Sequence, residues 1–205
     1  MKKQSGFTLI ELVIVVVILG FLAVTAIPKF IDLTDQAKQA NIEGMAGGFA
    51  TAVSLVRAQW EAEGRPKDTN GKNAVDYDGT TLFLTKESNT TTLKIRPGYI
   101  TGIADNGDSL AGLTATDCID IWQSILQQPP RLTNVISTLN SNAYMDYFVA
   151  KSGSNANTLC HFYLKETLNK DNNNNFTDPG VLTTVGNSFT YQPANSSVVV
   201  YINNQ

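Results

Sequence analysis

The sequence predicts an α+β protein in which one long N-terminal helix packs on a globular domain of antiparallel β-sheet. Three observations lead to this fold class. An apolar run of 21 residues extends from Phe7 to Ile27. An amphipathic pattern with helical spacing continues from there to about Glu63, and strand-like segments separated by turn residues fill most of the remaining chain. The 205 residues therefore correspond to one ordinary domain with an appendage.

The apolar run is long enough to span a bilayer, since about 20 apolar residues cross its hydrocarbon core as a helix. Only Thr8, Glu11 and Thr25 interrupt it with polar atoms. A carboxylate near the bilayer centre costs about 2.5–3.5 kcal/mol or more. Glu11 would instead lie one turn from a new amino terminus if the chain were cut after Gly6, and an amine of a neighbouring copy could pair with it. These residues indicate a helix that lodges in a membrane and then packs against copies of itself.

The residues around this expected cut carry a family resemblance. The segment Lys-Lys-Gln-Ser-Gly6-Phe7-Thr8-Leu9-Ile10-Glu11 resembles the class III signal of type IV prepilins. In that family a prepilin peptidase cuts after the glycine and N-methylates the new phenylalanine. The resemblance implies that residues 1–6 are a leader peptide, that Phe7 becomes N-methylated, and that Glu11 neutralises the terminal amine of the adjacent subunit during assembly. An ordinary single-span anchor with a chance glutamate is the alternative.

The resemblance also implies a fold, a destination and a set of partners. The expected fold is the pilin fold, and the expected partners are other pilin subunits, the prepilin peptidase, inner-membrane lipid and the inner-membrane assembly machinery. The chain would wait in the bacterial inner membrane with a periplasmic domain and end in a cell-surface pilus. Pro28-Lys29-Phe30, followed by Asp-Leu-Thr-Asp-Gln-Ala-Lys38, is most similar to the mannose-sensitive haemagglutinin (MSHA) pilins of marine bacteria. The segment 48–64 favours a minor subunit within that group.

Residues 7–28 are the expected transmembrane and assembly helix. Gly20 weakens it, and Pro28 is expected to kink or open it because proline lacks the N–H that the helical ladder needs. Type IV pilins carry a glycine and a proline in these places, and the resemblance implies that the segment between them can lose helicity in the filament. We therefore expect a helix break between Gly20 and Pro28.

Residues 29–64 are the expected amphipathic half of the helix. Apolar side chains recur at helical spacing, at Phe30, Leu33, Ala37, Met45, Phe49, Ala52, Val53, Val56 and Trp60. The charges of the other face are Lys29, Asp32, Asp35, Lys38 and Glu43. They form either a solvated surface or a set of pairs between subunits. Gly44, Gly47 and Gly48 are expected to allow close approach of the sheet, and Gly64 to provide the C-terminal cap before Pro66.

Residues 65–205 are the expected globular head with a disulfide. A helix from about Ala115 to Gln128 is predicted, with Thr114 or Thr116 as its cap and Pro129 beyond its end. The predicted strands are Thr81–Thr85, Leu93–Ile95, Tyr99–Ile103, Tyr144–Ala150, Thr158–Lys165, Ser188–Gln192 and Ser197–Asn203. Cys118 of the helix and Cys160 of a central strand suit a disulfide formed in an oxidising periplasm. Two reduced core cysteines are the alternative.

Composition argues against several classes of function. The formal net charge of −3 becomes −5 without Lys2 and Lys3, whereas nucleic-acid binding needs a basic face. His161 is the only histidine, is expected to be exposed or to line the sheet opposite Cys160, and has no metal-ligand spacing around it. With no phosphate loop, nucleophile elbow or paired-carboxylate pattern in the sequence, we expect neither an enzyme nor a cofactor.

Calcium is the one ligand for which the sequence contains candidate binding residues. Asp171, Asn173 and Asn175 alternate like the start of an EF-hand loop, but the turn glycine is missing and Leu182 replaces the closing glutamate. The segment 105–108 is a similar fragment. An ordinary polar loop is the favoured interpretation of both, so no metal is expected.

Three functions fit these observations. The first is a structural subunit of a type IV pilus of the MSHA kind, serving adhesion, surface attachment and, where such filaments retract, motility. The second is a pseudopilin of a type II secretion system, which shares the leader. The helix-to-strand cysteine pair and the long head favour the pilus. The third, an adhesin domain on an unrelated anchor, leaves the arrangement of Gly6, Phe7 and Glu11 to chance.

Overall fold

The computed structural model describes residues 7–90, 93–103 and 110–203. It opens with helix α1, Leu9–Ala62, which is 54 residues long. The chain divides into two compact units after Ala37, and each is described separately below. The predicted leader peptide and Gly6 lie outside the described residues.

The predicted helix break at Gly20 and Pro28 is not present in this structure. Both residues lie inside α1, and the α-helix is assigned without interruption across them. Proline removes one hydrogen bond of the ladder, and the bonds on either side of it hold the helix together. Loss of helicity between the two residues in a filament stays a prediction.

The second part of α1 ends as predicted. The helix stops at Ala62, and Gly64 adopts a left-handed backbone with φ of 80°. The backbone N–H of Arg65 donates to the carbonyl oxygen of Trp60 over 2.8 Å, which satisfies one of the last free carbonyls of the helix. This cap sets the direction in which the chain enters the first sheet.

Two small sheets come first along the chain. Their strands are β1 (Ala74–Tyr77), β2 (Thr80–Leu84), β3 (Ser88–Thr90), β4 (Leu93–Ile95) and β5 (Ile100–Gly102). Strands β1, β2 and β5 form a three-stranded antiparallel sheet in that order, and β3 pairs with β4 as a hairpin. The predicted strands in this region are confirmed within one or two residues, while β1 and β3 were not predicted.

The main sheet of the second unit has five strands in the order β10-β9-β8-β7-β6. The strands are β6 (Leu132–Thr133), β7 (Tyr147–Ser152), β8 (Leu159–Leu164), β9 (Ser188–Gln192) and β10 (Ser197–Tyr201). All pairs are antiparallel except β6 with β7. The prediction of a long helix followed by antiparallel sheet is confirmed.

Helix α2 spans Ala115–Ile125 and begins with a capping box. The backbone N–H of Asp117 donates to the hydroxyl of Thr114, and the Asp117 carboxylate accepts from the backbone N–H of Thr114 over 2.7 Å. The predicted end at Gln128 is wrong, since Leu126 already has an extended backbone. The residue before a proline disfavours helical geometry, so the chain leaves the helix ahead of Pro129.

The core of the second unit lies between α1, α2 and one face of the five-stranded sheet. Phe49 of α1 is at its centre, with ring centroids 5.2 to 6.1 Å from those of Trp122, Phe162, Phe189 and Tyr191. Such aromatic pairs add about 0.5–1.5 kcal/mol each beyond their burial. This face of α1 is therefore the part that holds the helix to the domain.

The predicted disulfide is present. Cys118 of α2 and Cys160 of β8 are bonded, with a Cα–Cα distance of 5.7 Å, and both are fully buried in the same core. The bond closes 42 residues of sequence separation. It ties the helix that covers the sheet to the central strand of that sheet.

The opposite face of the sheet has a smaller core of its own. Leu139, Phe148, Tyr163 and Leu168 are its buried members. Leu139 comes from a short helix, α3 (Ile136–Ser141), that was not predicted. His161 lines this face of β8 and is 2 % exposed, so the sheet-lining alternative is correct and the exposed one is wrong.

Candidate functional site

The apolar segment Phe7–Ile27 is the most unusual surface of the described chain. Its large apolar side chains are between 47 and 89 % exposed, with Val13 the least and Phe7 the most exposed. Monomeric soluble proteins rarely expose contiguous apolar patches larger than a few hundred Å². Among the described residues, α1 is the helix whose length and composition suit it to cross a membrane, and its most apolar stretch has no cover within the chain.

Glu11 lies in the first turn of this helix and caps it. Its Oε2 accepts the backbone N–H of Thr8 over 2.8 Å and the Thr8 hydroxyl over 2.7 Å. The Thr8 hydroxyl in turn accepts the backbone N–H of Glu11 over 3.3 Å. This reciprocal arrangement is a capping box, and it places the carboxylate where the partial positive charge of the helix start stabilises an anion. The negative charge is thereby held at the end of the segment and away from its centre.

The capping box was not predicted, although its signal is in the sequence. Thr8-Leu-Ile-Glu11 has the spacing of a threonine followed three residues later by a glutamate before an apolar run. Phe7 precedes the helix and is fully accessible at the edge of the described chain. The bond between Gly6 and Phe7, where cleavage is expected, lies partly outside the described residues.

The remaining polar group of the segment is satisfied by the helix itself. The Thr25 hydroxyl donates to the carbonyl oxygen of Leu22 over 2.9 Å and lies 3.4 Å from that of Phe21. In an apolar medium every polar group must find a partner within the protein. Thr25 meets this condition without a second chain, so the segment carries no unpaired polar side chain apart from the charge of Glu11.

The second half of α1 carries a different exposed face. We call it the small-residue face; its members are Gly44, Gly47, Gly48, Thr51, Ser54, Leu55 and Ala58. The expectation that the three glycines let the sheet approach is wrong, because no atom beyond the adjacent residues and backbone of the helix itself lies within 4 Å of where a Cβ would stand at any of them. The bulky residues Phe49, Val53 and Trp60 make the contacts with the sheet side instead. The glycines leave an open, shallow surface.

This small-residue face has no charge and no free hydroxyl donor. Residues 44–56 include no Asp, Glu, Lys or Arg. The Thr51 hydroxyl donates to the carbonyl oxygen of Gly47 and the Ser54 hydroxyl to that of Ala50, each over 2.9 Å. The surface therefore presents backbone, methyl groups and one leucine to its surroundings.

His161 has neutral partners. Its Nε2 lies 2.7 Å from the Ser152 hydroxyl, and its Nδ1 lies 3.4 Å from the Tyr163 hydroxyl. Burial lowers the pKa of His161, which favours the neutral ring. Within the described part of the chain no group of three His, Cys, Asp or Glu side chains could hold a metal ion.

The weak calcium candidates form a tight polar turn. One carboxylate oxygen of Asp171 accepts the backbone N–H groups of Asn173 over 2.8 Å and Asn175 over 2.9 Å. These hydrogen bonds lower the pKa of Asp171. A side chain that bonds its own backbone in this way accounts for the turn without an ion. The similar fragment at 105–108 lies outside the described residues.

Comparison with known proteins identifies the family. The family description "Prokaryotic N-terminal methylation motif" matches residues 1–27. "Fimbrial protein EcpC" of Eikenella corrodens is 32 % identical over 133 residues, which cover 60 % of this chain and 82 % of that protein. Together with the fold, these similarities show that the chain belongs to the type IV pilin family.

Two further relatives match shorter stretches of the chain. "Type IV narrow pilus major component PilA5" of Thermus thermophilus is 48 % identical over 31 % of this chain and 53 % of its own length. "Type II secretion system core protein G" of Pseudomonas aeruginosa is 43 % identical over 27 % of this chain and 39 % of its own length. The chain spans from about two fifths to two thirds of the first four curated relatives that it matches. No solved structure matches it.

The finer parts of the family assignment stay predictions. The similarity to the MSHA pilins rests on residues 28–38 together with one helix cysteine and one strand cysteine, and the minor-subunit hypothesis rests mainly on residues 48–64. The processing and assembly roles of Gly6, Phe7 and Glu11 likewise rest on the motif and not on a measured product. They are carried forward as proposals.

Proposed function

We propose that this chain is a structural subunit of a type IV pilus of the MSHA kind, built for adhesion and surface attachment. The observation that carries the proposal is the apolar segment Phe7–Ile27, whose large apolar side chains are exposed among the described residues and whose first helical turn carries the capping carboxylate of Glu11. A surface of this kind needs lipid before assembly and other helices afterwards. Exchange between these two environments is what a pilus subunit undergoes.

The proposed sequence of events uses the residues of the N-terminal motif. Prepilin peptidase cuts after Gly6, and Phe7 is N-methylated. The subunit then waits in the inner membrane with its head in the periplasm, where an oxidising environment forms the bond between Cys118 and Cys160. The inner-membrane machinery extracts it, and the Glu11 carboxylate pairs with the terminal amine of a neighbouring subunit in place of water.

Pairing explains how a charge can enter an apolar helix bundle. An isolated carboxylate among apolar side chains is costly, whereas a carboxylate matched by an amine and hydrogen-bonded at a helix start is much less so. The capping box with Thr8 fixes the position of Glu11 before a partner arrives. The carboxylate therefore does not need to be ordered at the moment of assembly.

A set of Glu11 variants tests the assembly role. Glu11→Ala should be processed normally but should enter sheared filaments poorly, as measured by immunoblot of filament and envelope fractions. Glu11→Gln keeps an oxygen for the Thr8 N–H and removes only the charge, so it should fail as Glu11→Ala does. Glu43→Ala removes a carboxylate that bonds Gln39 in the other half of α1 and is the matched control. Normal incorporation of both Glu11 variants would contradict the role.

The cleavage site is tested separately. Gly6→Val should block processing, so that intact mass spectrometry of the membrane fraction finds the chain beginning at Met1. A processed Gly6→Val chain would mean that the cut lies elsewhere.

The second candidate is a pseudopilin of a type II secretion system. The similarity to a type II secretion core protein over 27 % of the chain favours it. The long head and its disulfide between Cys118 and Cys160 support the pilus instead. Processed protein that stays in the cell envelope, with secretion lost on deletion, would favour the pseudopilin.

A further inference from the structure

A cluster of two arginines and a tyrosine lies beside the small-residue face. Arg57 comes from α1, while Arg96 and Tyr99 flank the turn between β4 and β5. Nη1 of Arg57 donates a hydrogen bond to the Tyr99 hydroxyl, and the guanidinium carbon of Arg57 lies 4.5 Å from the centroid of the Tyr99 ring. Two segments far apart in sequence therefore converge on one hydroxyl.

The turn that presents Arg96 and Tyr99 is held rigidly. The Thr85 hydroxyl donates to the carbonyl oxygen of Arg96 over 2.6 Å and accepts the backbone N–H of Tyr99 over 3.0 Å. Gly98 has φ of 89°, and a Cβ there would lie 2.6 Å from the ring of Trp60. The turn therefore packs directly on the last turns of α1, next to Arg57.

The positive charges of Arg57 and Arg96 affect the pKa of the Tyr99 hydroxyl. Burial raises the pKa of Tyr99, but a hydrogen bond with Ser196 and the charges of Arg57 and Arg96 outweigh it, so that the pKa is lowered overall. A lowered tyrosine pKa means that the surroundings favour a negative charge at this oxygen. The site is thus suited to an anion.

Among the described residues, the carboxylate near this cluster is that of Glu61, and it is shared with another arginine. Glu61 lies 3.6 Å from Arg57, but it makes its shorter contact, 2.7 Å, with Arg65. Arg96 makes no salt bridge with any residue that the structure describes. Arginine presents a planar fork of donors that matches a carboxylate. Of the two forks in the cluster, only that of Arg57 lies near a carboxylate of the described chain, and Arg65 already engages that carboxylate.

The small-residue face next to the cluster indicates which molecule could provide a carboxylate to the two arginines. The small-residue face of α1 runs toward Arg57 without a charge over residues 44–56, which is about 20 Å of helix. Small side chains allow another helix to approach closely. The uncovered apolar segment Phe7–Ile27 of a second copy has the complementary composition. It leads within five residues to Asp32, which has no hydrogen-bond or salt-bridge partner among the described residues.

We propose that the cluster of Arg57, Arg96 and Tyr99 binds the Asp32 carboxylate of a second copy whose apolar segment lies along the small-residue face. This interaction rests on the proposed function, since only an assembled subunit meets a second copy in this way. It adds a second ionic contact to the one expected at Glu11, at the opposite end of the apolar segment. For parallel helices, the Glu11 contact corresponds to a displacement of about 6 Å and the Asp32 contact to one of about 38 Å, so the two contacts join a subunit to different neighbours.

Charge reversal tests the pairing in filaments sheared from cells. Arg57→Glu and Asp32→Arg should each lower the amount of filament roughly tenfold, because each leaves a like-charge contact in the interface. The double variant should recover at least about half of the wild-type amount, because the pair is restored with its polarity exchanged. Arg131→Glu is the matched control; Arg131 also lies over a tyrosine ring, 5.7 Å from the centroid of Tyr144, but away from the cluster.

Two further measurements separate assembly from folding. Thermal unfolding of the detergent-solubilised Asp32→Arg variant should match that of the wild type, because Asp32 is exposed. Arg57 is half-buried against Tyr99, so the unfolding of Arg57→Glu measures separately what that contact contributes within the chain. In cells that express Arg57→Cys and Asp32→Cys copies together, sheared filaments should contain a covalent dimer that neither variant forms alone. Buried Cys118 and Cys160 are already bonded to each other and do not compete.

The outcomes distinguish this inference from the proposed function. Filaments that tolerate Arg57→Glu and yield no mixed dimer would overturn the pairing while leaving the pilus assignment intact. A double variant that does not recover and gives no dimer would overturn it as well. Absence of the wild-type chain from sheared filaments would overturn both.

Discussion

The two halves of helix α1 share one secondary structure and have opposite relations to the rest of the chain. In the first half, the side chain of Ile18 is 53 % exposed, and most of the apolar side chains near it are exposed to a similar degree. In the second half Ile42 is fully buried against the head. Within the part of the chain that the structure describes, the half with more apolar residues is thus the exposed one. This difference teaches that the first half is adapted to a surrounding that the single chain does not provide, first lipid and then other helices.

The disulfide offers the largest expected effect on this contrast, because it belongs to the second unit alone. Replacing both Cys118 and Cys160 with alanine should lower the free energy of unfolding of the head by about 4 kcal/mol, the chain-entropy value for a loop of this length. Urea unfolding followed by tryptophan fluorescence in detergent measures the loss. The membrane anchoring of residues 7–27 should not change.

If the two halves of α1 are independent in this way, loss of the disulfide should change the stability of the head and leave the membrane anchoring of the first half unchanged. Alkaline extraction of membranes reports anchoring of the first half independently of the head. Release of the cysteine-free chain from the membrane by alkaline extraction would show that the head helps to hold the apolar segment in place. That result would contradict the separation described above.

Two isoleucines of α1, one exposed and one buried, allow the same substitution to be compared in the two halves of the helix. Ile42→Ala should cost roughly 2–5 kcal/mol of head stability, because it leaves a cavity in a fully buried site. Ile18→Ala removes the same atoms from an uncovered position and should leave head unfolding unchanged. Equal effects of the two variants in the same urea experiment would mean that the first half also packs on the head.

The cap of α2 is a smaller contribution to the second unit. Thr114→Ala removes the hydroxyl that accepts the Asp117 N–H and should cost about 1 kcal/mol. Thr116→Ala, two residues along the same helix, removes an exposed hydroxyl and is the control. The midpoint of urea unfolding measures both, and a similar shift for the two would argue against the capping role.

The smallest predicted effect concerns pH. Burial lowers the pKa of His161 in the folded head, so the unfolded chain binds the proton more readily. The contribution of the neutral ring to stability is complete above the ordinary histidine pKa of 6.5 and is lost as pH falls below it. Urea midpoints should therefore fall from pH 7.5 to pH 5.5, and His161→Gln should reduce that slope. A slope that His161→Gln leaves unchanged would exclude this group as its source.

Much of this fold could be predicted because strong local signals agree with the final contacts. The apolar run, the glycine cap at Gly64 and the proline pair after α2 indicate their elements by propensity alone. Strands β7 to β10 were found because alternating β-branched and aromatic residues lie between clear turns. The disulfide followed from a helix and a strand that each carry one cysteine.

The elements that were missed have weak local signals. Strand β6 is two residues long, and α3 spans only six residues with no side-chain cap at Val135. Their conformations are set by packing on the sheet and not by their own sequence. The glycines at 44, 47 and 48 were assigned to the wrong side of the helix, because glycine alone does not say whether close approach comes from within the chain or from outside.

The candidate site was predicted in part for a similar reason. Glu11 stands out because a charge in an apolar run is unfavourable without a partner. The arginine cluster could not be predicted, because Arg57 and Arg96 come together only through the turn at Gly98 that packs on Trp60. Such convergence depends on tertiary structure, and no spacing in the sequence indicates it.

Mass spectrometry of filaments sheared from intact cells tests the central claim most directly. The account predicts an N-terminal peptide that begins at N-methylated Phe7, recovered in the filament fraction together with the oxidised Cys118–Cys160 pair. Abundant peptide would identify a major subunit, and a trace beside another pilin would identify a minor one. A chain that retains Met1, or a processed chain confined to the cell envelope, would contradict the claim that this helix leaves the membrane for a pilus.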